Sequence, residues 1–452
     1  MSVTTKIHNS VYLEMPFSME SITKLEISQK LNEHSWAQIE GIIQDKNVDT
    51  CSNLSWNENF TIKFVDGQTN QILFSGMPVN VKVSCEDQTC VTIRLSSYSI
   101  LLDYEKRTRS FQRGDRTYAS LFQELVKGNG GDIIDYASTA SAAFDAPLIQ
   151  YEETDWEFLK RASSLIGVSV YPCASGTSTQ IYIGFGSNES RLSGTSDREM
   201  KKSIREFRKF RDSAPSESDF ISCNVTGSKD CRLGDRVMCD GHSYRITEIH
   251  DSLKNGLLYR RCLLKQESGI CREKKYQEKL QGISLPGVVR EVKKDQIRLH
   301  LDIDENGKGE KLHWYSWHRN DWFCMPEIGS KAMLYIPTKD ESMAYVTDIR
   351  RLDGERNSQN QNPEEKCFET KSGKGMMMKS QSISFRASGN KISVQLSDRS
   401  GVKVRSSRGI QIHSGESFHC SSRNMNIESG ERIVLSTGMT SIVIDDLIQI
   451  KG

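Results

Sequence analysis

Apolar and polar positions alternate in short runs along most of this chain, and the alternation is most regular in the last seventy residues. From Ile383 onward, β-type cores recur: Ile383-Ser-Phe385, Ile392-Ser-Val394, Val402-Lys-Val404, Ile410-Gln-Ile412, Phe418-His-Cys420, Met425-Asn-Ile427, Ile433-Val-Leu435, Ile442-Val-Ile444 and Ile448-Gln-Ile450. Successive cores start roughly eight residues apart, with Gly, Ser, Asn, Asp and Arg between them. Period-two alternation puts the apolar side chains of each core on one face, and a fixed short period marks a β-solenoid or β-prism. Eight residues at about 3.3 Å each make one strand and a turn, too little to enclose a three-sided coil. Three identical chains, each supplying one face of a needle with its apolar row toward a shared axis, meet that constraint.

The rest of the chain divides by pattern. Residues 1–105 alternate in segments such as Leu25-Glu-Ile-Ser, Thr61-Ile-Lys-Phe-Val, Val81-Lys-Val-Ser and Val91-Thr-Ile-Arg-Leu, with Asp66-Gly67 as a hairpin turn. An α/β stretch follows. Asp115 is positioned to cap a helix carrying Tyr118, Leu121, Phe122 and Leu125 on one face, stopped at Gly128. Thr154-Asp-Trp-Glu157 is a capping box opening a second helix, with Trp156 in its first turn, Phe158, Leu159, Ala162 and Ile166 on its buried face and Gly167 at its end. Short strands return over 221–265, where Leu233-Gly-Asp235 and Asp240-Gly241 read as turns and Leu257–Leu264 partners Tyr244–Ile249. A charged bridge precedes a small-barrel pattern over 283–350, and a polar segment, Glu355–Glu365, precedes the needle.

Composition removes several function classes. The 452 residues carry a net charge of +1, without the basic excess of a nucleic-acid binder. No apolar run is long enough for a transmembrane helix, and the first residues lack the apolar core of a signal peptide. The twelve cysteines show no CxxC pair or zinc-finger spacing and read as reduced, mostly buried thiols. His313 and His318 are five apart, on opposite faces of a strand, so they are not expected to share a metal. Trp314, Trp317 and Trp322 read as packing or intersubunit contacts, with ligand binding as the alternative. The mixed-charge run Lys201–Asp212 reads as a solvated or intersubunit face. Glu152, Glu153 and Asp155 sit at a helix N-terminus, where acidic residues complement the dipole. No nucleophile or metalloprotease motif is present, so the chain reads as a non-enzyme with no cofactor, no metal and no nucleic-acid partner.

The order of parts resembles the hub–spike proteins of contractile injection systems: VgrG spikes of type VI secretion, the fused hub and spike of contractile phage tails and tailocins, and their extracellular relatives. The resemblance rests chiefly on Gln150-Tyr-Glu-Glu-Thr-Asp-Trp-Glu-Phe-Leu-Lys-Arg-Ala-Ser-Ser-Leu-Ile-Gly167, with Ala162-Ser163 where Leu-Ala is usual. Leu101–Gln112, the segment Trp322–Asp348 and the closing Ser441–Gly452 are similar to family segments too. It implies a mainly β protein with a minor α/β part: a first hub β-barrel over 1–105, an α/β hub insertion over 106–215, strands completing a second hub barrel over 216–271, a linker over 272–282, an OB-fold-like barrel over 283–352, a linker over 353–382, and a β-helical or β-prism needle over 383–452. It implies a homotrimer whose two barrels per protomer form a pseudo-sixfold ring capping a hexameric inner tube. The needle core would be Ile392, Val394, Val402, Val404, Ile410, Ile412, Ile433 and Leu435. The needle's end, with Ile442, Ile444, Leu447, Ile448, Ile450 and Gly452, would carry a PAAR-type tip protein. Baseplate proteins and effectors are further partners, and contact with the target membrane is transient. Assembly is expected in a bacterial cytoplasm, followed by injection or release. The 353–382 linker is too short for the lysozyme domain of many phage spikes. The alternatives are a β-helical adhesin that binds carbohydrate and a spike with an unrecognised hydrolase activity.

Overall fold

The computed structural model of the chain describes residues 3–8, 10–66, 69–85, 87–112, 114, 116–192, 198–210, 216–228, 230–304, 312–318, 325–350, 362–370, 372–387, 389–445 and 448–451. They form two compact units, Met1–Leu352 and Asp353–Gly452. The protein is mainly β with a minor α/β part.

The first unit begins with β1 (Val3–His8), β2 (Val11–Met15), β3 (Ser21–Lys30), β4 (Trp36–Ile42), a short helix α1 (Val48–Ser52), β5 (Phe60–Asp66), β6 (Thr69–Cys85) and β7 (Thr89–Ser96). Alternation determines which side chains turn inward: Leu25, Ile27, Ala37, Ile39, Phe60, Ile62, Val91 and Ile93 form one buried core. Gly41 lets β4 approach β3, because a Cβ there would lie 2.3 Å from the Ser21 carbonyl oxygen.

The α/β part comprises β8 (Lys106–Phe111), α2 (Tyr118–Lys127), β9 (Asp132–Asp135), β10 (Leu148–Thr154), α3 (Asp155–Leu165), β11 (Val170–Pro172) and β12 (Gln180–Ile183). Thr117 caps α2 through a reciprocal box with Ser120; Asp115, the cap expected from sequence, lies outside the described residues. Thr154 and Glu157 form the box that opens α3, and Gly167 follows its end at φ +70°, a conformation that favours glycine. Strands β11, β12 and β9 make a three-stranded sheet with one parallel pair. Its core joins Phe111, Phe122, Trp156, Phe158, Leu159 and Ala162.

Next come β13 (Arg198–Lys202), α4 (Ile204–Lys209), β14 (Ile221–Thr226), β15 (Arg236–Cys239), β16 (His242–Lys254) and β17 (Leu257–Lys265). Two-residue loops turn both hairpins: Asp240-Gly241 at φ +50° and +77°, and Asn255-Gly256 at φ +49° and +76°. Positive φ at both central residues is the primed turn that matches strand twist. These strands enclose a separate core of Cys223, Val225, Val237, Ile246, Ile249, Cys262 and Leu264. Residues Glu248–Ser252 of β16 pair with Glu26–Lys30 of β3. Through that pairing the two groups share one twelve-stranded sheet, ordered β1-β2-β5-β6-β7-β4-β3-β16-β17-β14-β13, with β15 on β16.

The unit closes with β18 (Ile283–Lys293), β19 (Gln296–Leu301), β20 (Trp314–Ser316), β21 (Lys331–Ile336) and β22 (Tyr345–Arg350) in the order β20-β19-β18-β21-β22. A parallel bridge between Trp317 and Val346 brings the last strand back beside the third, giving a small barrel around Val289, Ile297, Leu299, Tyr315, Leu334 and Val346.

The second unit contains β23 (Lys366–Glu369), β24 (Gly375–Lys379), β25 (Ser382–Ala387), β26 (Ile392–Ser397) and β27 (Gly401–Ser406) as one antiparallel meander, then β28 (Ile433–Thr437), β29 (Thr440–Ile444) and β30 (Ile448–Lys451) as another. Two expectations are corrected. The first meander starts at Lys366, inside the segment read as a linker, because Lys366–Glu369 and Gly375–Met378 pair across a Ser372-Gly373 turn. The cores at Ile410–Ile412, Phe418–Cys420 and Met425–Ile427 carry no strand, and Ile410, Ile412, Phe418, Met425 and Ile427 are exposed. Alternation alone does not make a strand; a hydrogen-bonding neighbour is needed, and these segments find none among the described residues.

Phe158 is fully buried and stacks on Phe111 at 5.3 Å between ring centres. Phe158→Ala should lower the stability of the first unit by about 3–5 kcal/mol, read as the shift in urea midpoint followed by tryptophan fluorescence. A shift near zero would show that α3 is not anchored through this side chain.

Candidate functional site

The run Gln150–Arg161 that carries the family resemblance resolves into a set of buried polar contacts. On β10, the fully buried Gln150 donates from Nε2 to the Glu153 carbonyl and to Asp155 Oδ1, both at 3.0 Å, and accepts from Arg109 Nε at 2.8 Å. Asp155, at the start of α3, also receives Arg109 at 2.8 Å, Arg107 at 3.3 Å and Asn129 at 2.9 Å. Thr154 caps the helix and bonds Asp103, and Asp103 in turn meets His34, whose ring stacks on Trp156 at 4.4 Å. Burial pushes the Asp103 carboxyl up, but the hydrogen bonds from His34 and Thr154 outweigh it and leave its pKa lowered.

Further along α3, Arg161 reaches two carboxylates at once. It bonds Glu153 from Nε and Nη2, the latter at 2.9 Å, and Glu341 from Nη1 at 2.7 Å, and it donates to the Ile149 carbonyl at 2.7 Å. All three side chains are nearly sealed from water, at 4%, 7% and 3% exposure. Glu341 belongs to the small barrel, so this triad fastens that barrel to α3 and β10. A second tie joins the same parts: Asp304 accepts from the Ser110 backbone at 2.6 Å and from its hydroxyl at 2.5 Å. Burial raises the Asp304 carboxyl pKa. It raises Glu153 too, against the pull of Arg161, while the two carboxylates hold the Arg161 pKa up despite its burial.

This geometry changes the account of the acidic cluster. Glu152 is exposed and pairs with Lys279 at 2.6 Å, but Glu153 and Asp155 are buried partners of arginines, so ion pairing rather than the helix dipole explains them. Trp156, Phe158, Leu159 and Ala162 are buried in the α/β core, and Ile166 packs partly buried against it. Arg161, Glu341 and Asp304 escaped the sequence reading. Arg161 alone had a signal there, an arginine on the buried face of α3.

The apolar residues of the second unit are lined up and uncovered. Ile383, Leu396 and Val402 are successive cross-strand neighbours, as are Phe385, Val394 and Val404, and Ile392 lies opposite Ala387. Each is more than a third exposed, Val402 reaching 69%. In the last sheet Ile433 faces Ile444 and Leu435 faces Ile442, with Leu435 exposed and Ile442 half-buried. The register sets Ile448 and Ile450 opposite Ile444 and Ile442; Leu447 and Gly452 lie outside the described residues.

The remaining candidates separate. His313 packs on Tyr315 and His318 on Tyr345. Arg298 covers the Trp314 ring at 4.4 Å, Trp317 packs against the small-barrel core, and Trp322 is outside the described residues. Cys51, Cys223, Cys231, Cys239 and Cys262 are buried and Cys173 and Cys271 half-buried, whereas Cys85, Cys90, Cys367 and Cys420 are exposed and depart from the expectation of buried thiols. The exposed four lie on hairpins and on the uncovered second unit, where no core encloses them. No group of residues suited to a metal occurs among the described residues, and no described helix is long and apolar enough to cross a membrane.

No family model and no curated protein matches the sequence. Solved structures do match. One is the E. coli c3393 protein, described as a component of the type VI secretion system with structural similarity to the T4 bacteriophage tail proteins gp27 and gp5; its TM-score is 0.54 at 13% identity, covering 75% of this chain and 99% of that one. Another is the Francisella PdpA-VgrG complex in its half-lidded form, with a TM-score of 0.55 at 8% identity, covering 90% of this chain and 89% of that one. A lidless PdpA-VgrG complex gives 0.55 at 8% identity, covering 90% and 99%. The chain has a VgrG-like hub–spike fold.

Arg161→Met should destabilise the first unit by about 3–5 kcal/mol, because two buried carboxylates lose their cation. Glu153→Gln should cost less, since Arg161 and Glu341 still pair. Without Arg161, the Glu153 pKa in the folded state moves further above its unfolded value. A carboxyl raised in this way loses stability as pH rises through its folded pKa, so the Arg161→Met deficit should be largest at neutral pH and shrink as pH falls toward the ordinary carboxylate range. Urea midpoints at about pH 7 and about pH 5 check this; a deficit independent of pH would contradict the buried-triad account.

Proposed function

We propose that this chain is the structural hub–spike of a contractile injection system, working as a homotrimer and not as an enzyme. The observation that carries the reading is the ordered apolar ladder of β25–β27, left open to water in one copy although its register is complete. Apolar area left in water costs about 25 cal/mol per Å² relative to burial, and two further copies of the same ladder would cover it around a shared axis. Ile392, Val394, Val402, Val404, Ile433 and Leu435 would line that axis, and Ile410 and Ile412 would join it where strands from the other copies supply the missing pairing. The first unit would act as the hub, presenting two strand-rich barrels per copy to a hexameric inner tube and contacting baseplate proteins. Its most charged buried groups support a structural role, since Glu153, Asp155, Asp251 and Arg161 are already engaged in ion pairs.

Contraction would then drive the needle into the target envelope. The edge of β30, with Ile442, Ile444, Leu447, Ile448, Ile450 and Gly452 nearby, would seat a PAAR-type tip protein, since exposed strand edges accept a partner.

Two experiments test this. Sedimentation of the purified chain should give a trimer, and Val394→Asp with Val404→Asp should convert it to monomer by placing six carboxylates against one axis; a wild-type monomer would contradict the reading. Removing residues 447–452 should abolish retention of a purified PAAR-type protein in a pull-down while leaving the trimer intact, and undiminished retention would remove the tip assignment.

A further inference from the structure

The buried row of β3 breaks its own pattern. Leu25, Ile27, Gln29 and Leu31 turn inward at every second position, and Gln29 alone among them is polar. Its carboxamide is 8% exposed, and no hydrogen bond reaches it among the described residues. A buried polar group without a partner costs free energy, and a departure of this kind from local rules marks a site.

Gln29 lines a hollow of about 120 Å³ where β3, β6, β11, β12 and the loop before β15 come together. The wall holds two more polar groups in the same condition. Gln71 of β6 has its Oε1 buried with no donor. Tyr171 of β11 is 3% exposed, and its hydroxyl has no partner among the described residues. That hydroxyl lies against Gly234, where a Cβ would come within 2.1 Å of it. Stacking holds the ring in place: Tyr171 lies on Tyr182 at 5.2 Å, and Tyr182 on Tyr136 at 5.9 Å. Exposure rises along this stack, from buried Tyr171 through half-buried Tyr182 to exposed Tyr136, so it runs from the interior to the surface. Burial raises the Tyr171 pKa, which keeps the hydroxyl neutral. The buried charges of the wall are already engaged. Asp235 accepts from the Ser190 hydroxyl and the Arg232 backbone, and Arg260 bonds both oxygens of Asp251 and the Cys231 carbonyl.

We propose that this hollow binds one sugar ring, free or at the end of a glycan, with Gln29, Gln71 and Tyr171 as its hydrogen-bonding partners. The three groups are neutral and reach the hollow from three different strands, and carboxamides and phenol hydroxyls both donate and accept. A planar base or amide would offer them one edge, whereas a pyranose offers hydroxyls around its whole rim. A small apolar-and-polar cleft with a few convergent polar groups is the usual form of a small-ligand site. The size agrees, since a cavity on the order of 150 Å³ takes one six-membered ring. The site does not depend on the homotrimer reading.

Saturation-transfer NMR on the full chain tests this, with the methyl glycosides of glucose, galactose, mannose and N-acetylglucosamine as probes. At least one should receive saturation from the protein, with a dissociation constant on the order of 1 mM. Tyr171→Phe removes one hydroxyl and keeps the ring stack, and it should weaken that binding on the order of tenfold. Gln29→Leu should do the same, while Tyr335→Phe, in the small barrel, should leave binding unchanged. A linear tetrasaccharide of the bound sugar separates the two sources: a glycan end would show saturation confined to its terminal ring, and a site for the free sugar would show none. No saturation of any of the four glycosides, or binding that Tyr171→Phe and Gln29→Leu leave intact, would overturn the proposal and leave the hollow to ordered water.

Discussion

The Arg161 guanidinium is the interaction on which the first unit most depends. It is sealed from water between Glu153 of β10 and Glu341 of the small barrel, and it also holds the Ile149 carbonyl. Buried charges are costly unless paired in good geometry, so each member fixes the position of the other two. The consequence is mechanical. A barrel that also meets the α/β part through apolar contacts of Ile149, Leu280 and Leu285 and through the Asp304–Ser110 bonds is tied to the helix whose Thr154 and Trp156 engage Asp103 and His34. Such a joint adds directional bonds to non-directional packing.

The second constraint is the shared sheet. Two separate cores, one built on Leu25, Ile27 and Ile39 and the other on Cys223, Ile246 and Cys262, could have been two mobile domains. The pairing of β3 with β16 makes them one body, and the bidentate Asp251–Arg260 pair, 0% and 2% exposed, lies at that junction. The strand sets β3–β7 and β13–β17 follow one order in the sheet, and with their bulges at Val79 and Thr247 matched, Val83 and Val91 in the first set stand where this ion pair stands in the second. The two sets thus share a backbone plan while their side chains have diverged, and the plan was recoverable only from pairing and bulges.

The sequence was legible where structure is local. The capping box Thr154/Glu157, the positive-φ Gly167 and the hairpin turn at Asp240-Gly241 each follow from residues within a few positions of one another. The mainly β class and the hub–spike resemblance were legible for the same reason, since alternation and one helix motif carry them. What was hidden is long-range. Arg161 and Glu341 are 180 residues apart and Ser110 and Asp304 194 apart, and nothing near any of these names its partner. The acidic cluster was misread because burial is a tertiary property: Glu152 and Glu153 are neighbours, yet one is exposed and the other enclosed. Beyond Ser406 the eight-residue cores were visible, but the strands expected for them are absent until Ile433, because a strand needs a partner and none pairs with these segments among the described residues.

We propose that the chain works as three copies, with the uncovered ladder of the second unit turned inward. A three-dimensional electron-microscopy reconstruction of the purified chain tests it most directly. The expected result is a threefold particle in which the Val394, Leu396, Val402 and Val404 faces of the three copies meet at the axis. A particle without threefold symmetry, or a trimer whose ladder still faces solvent, would contradict it.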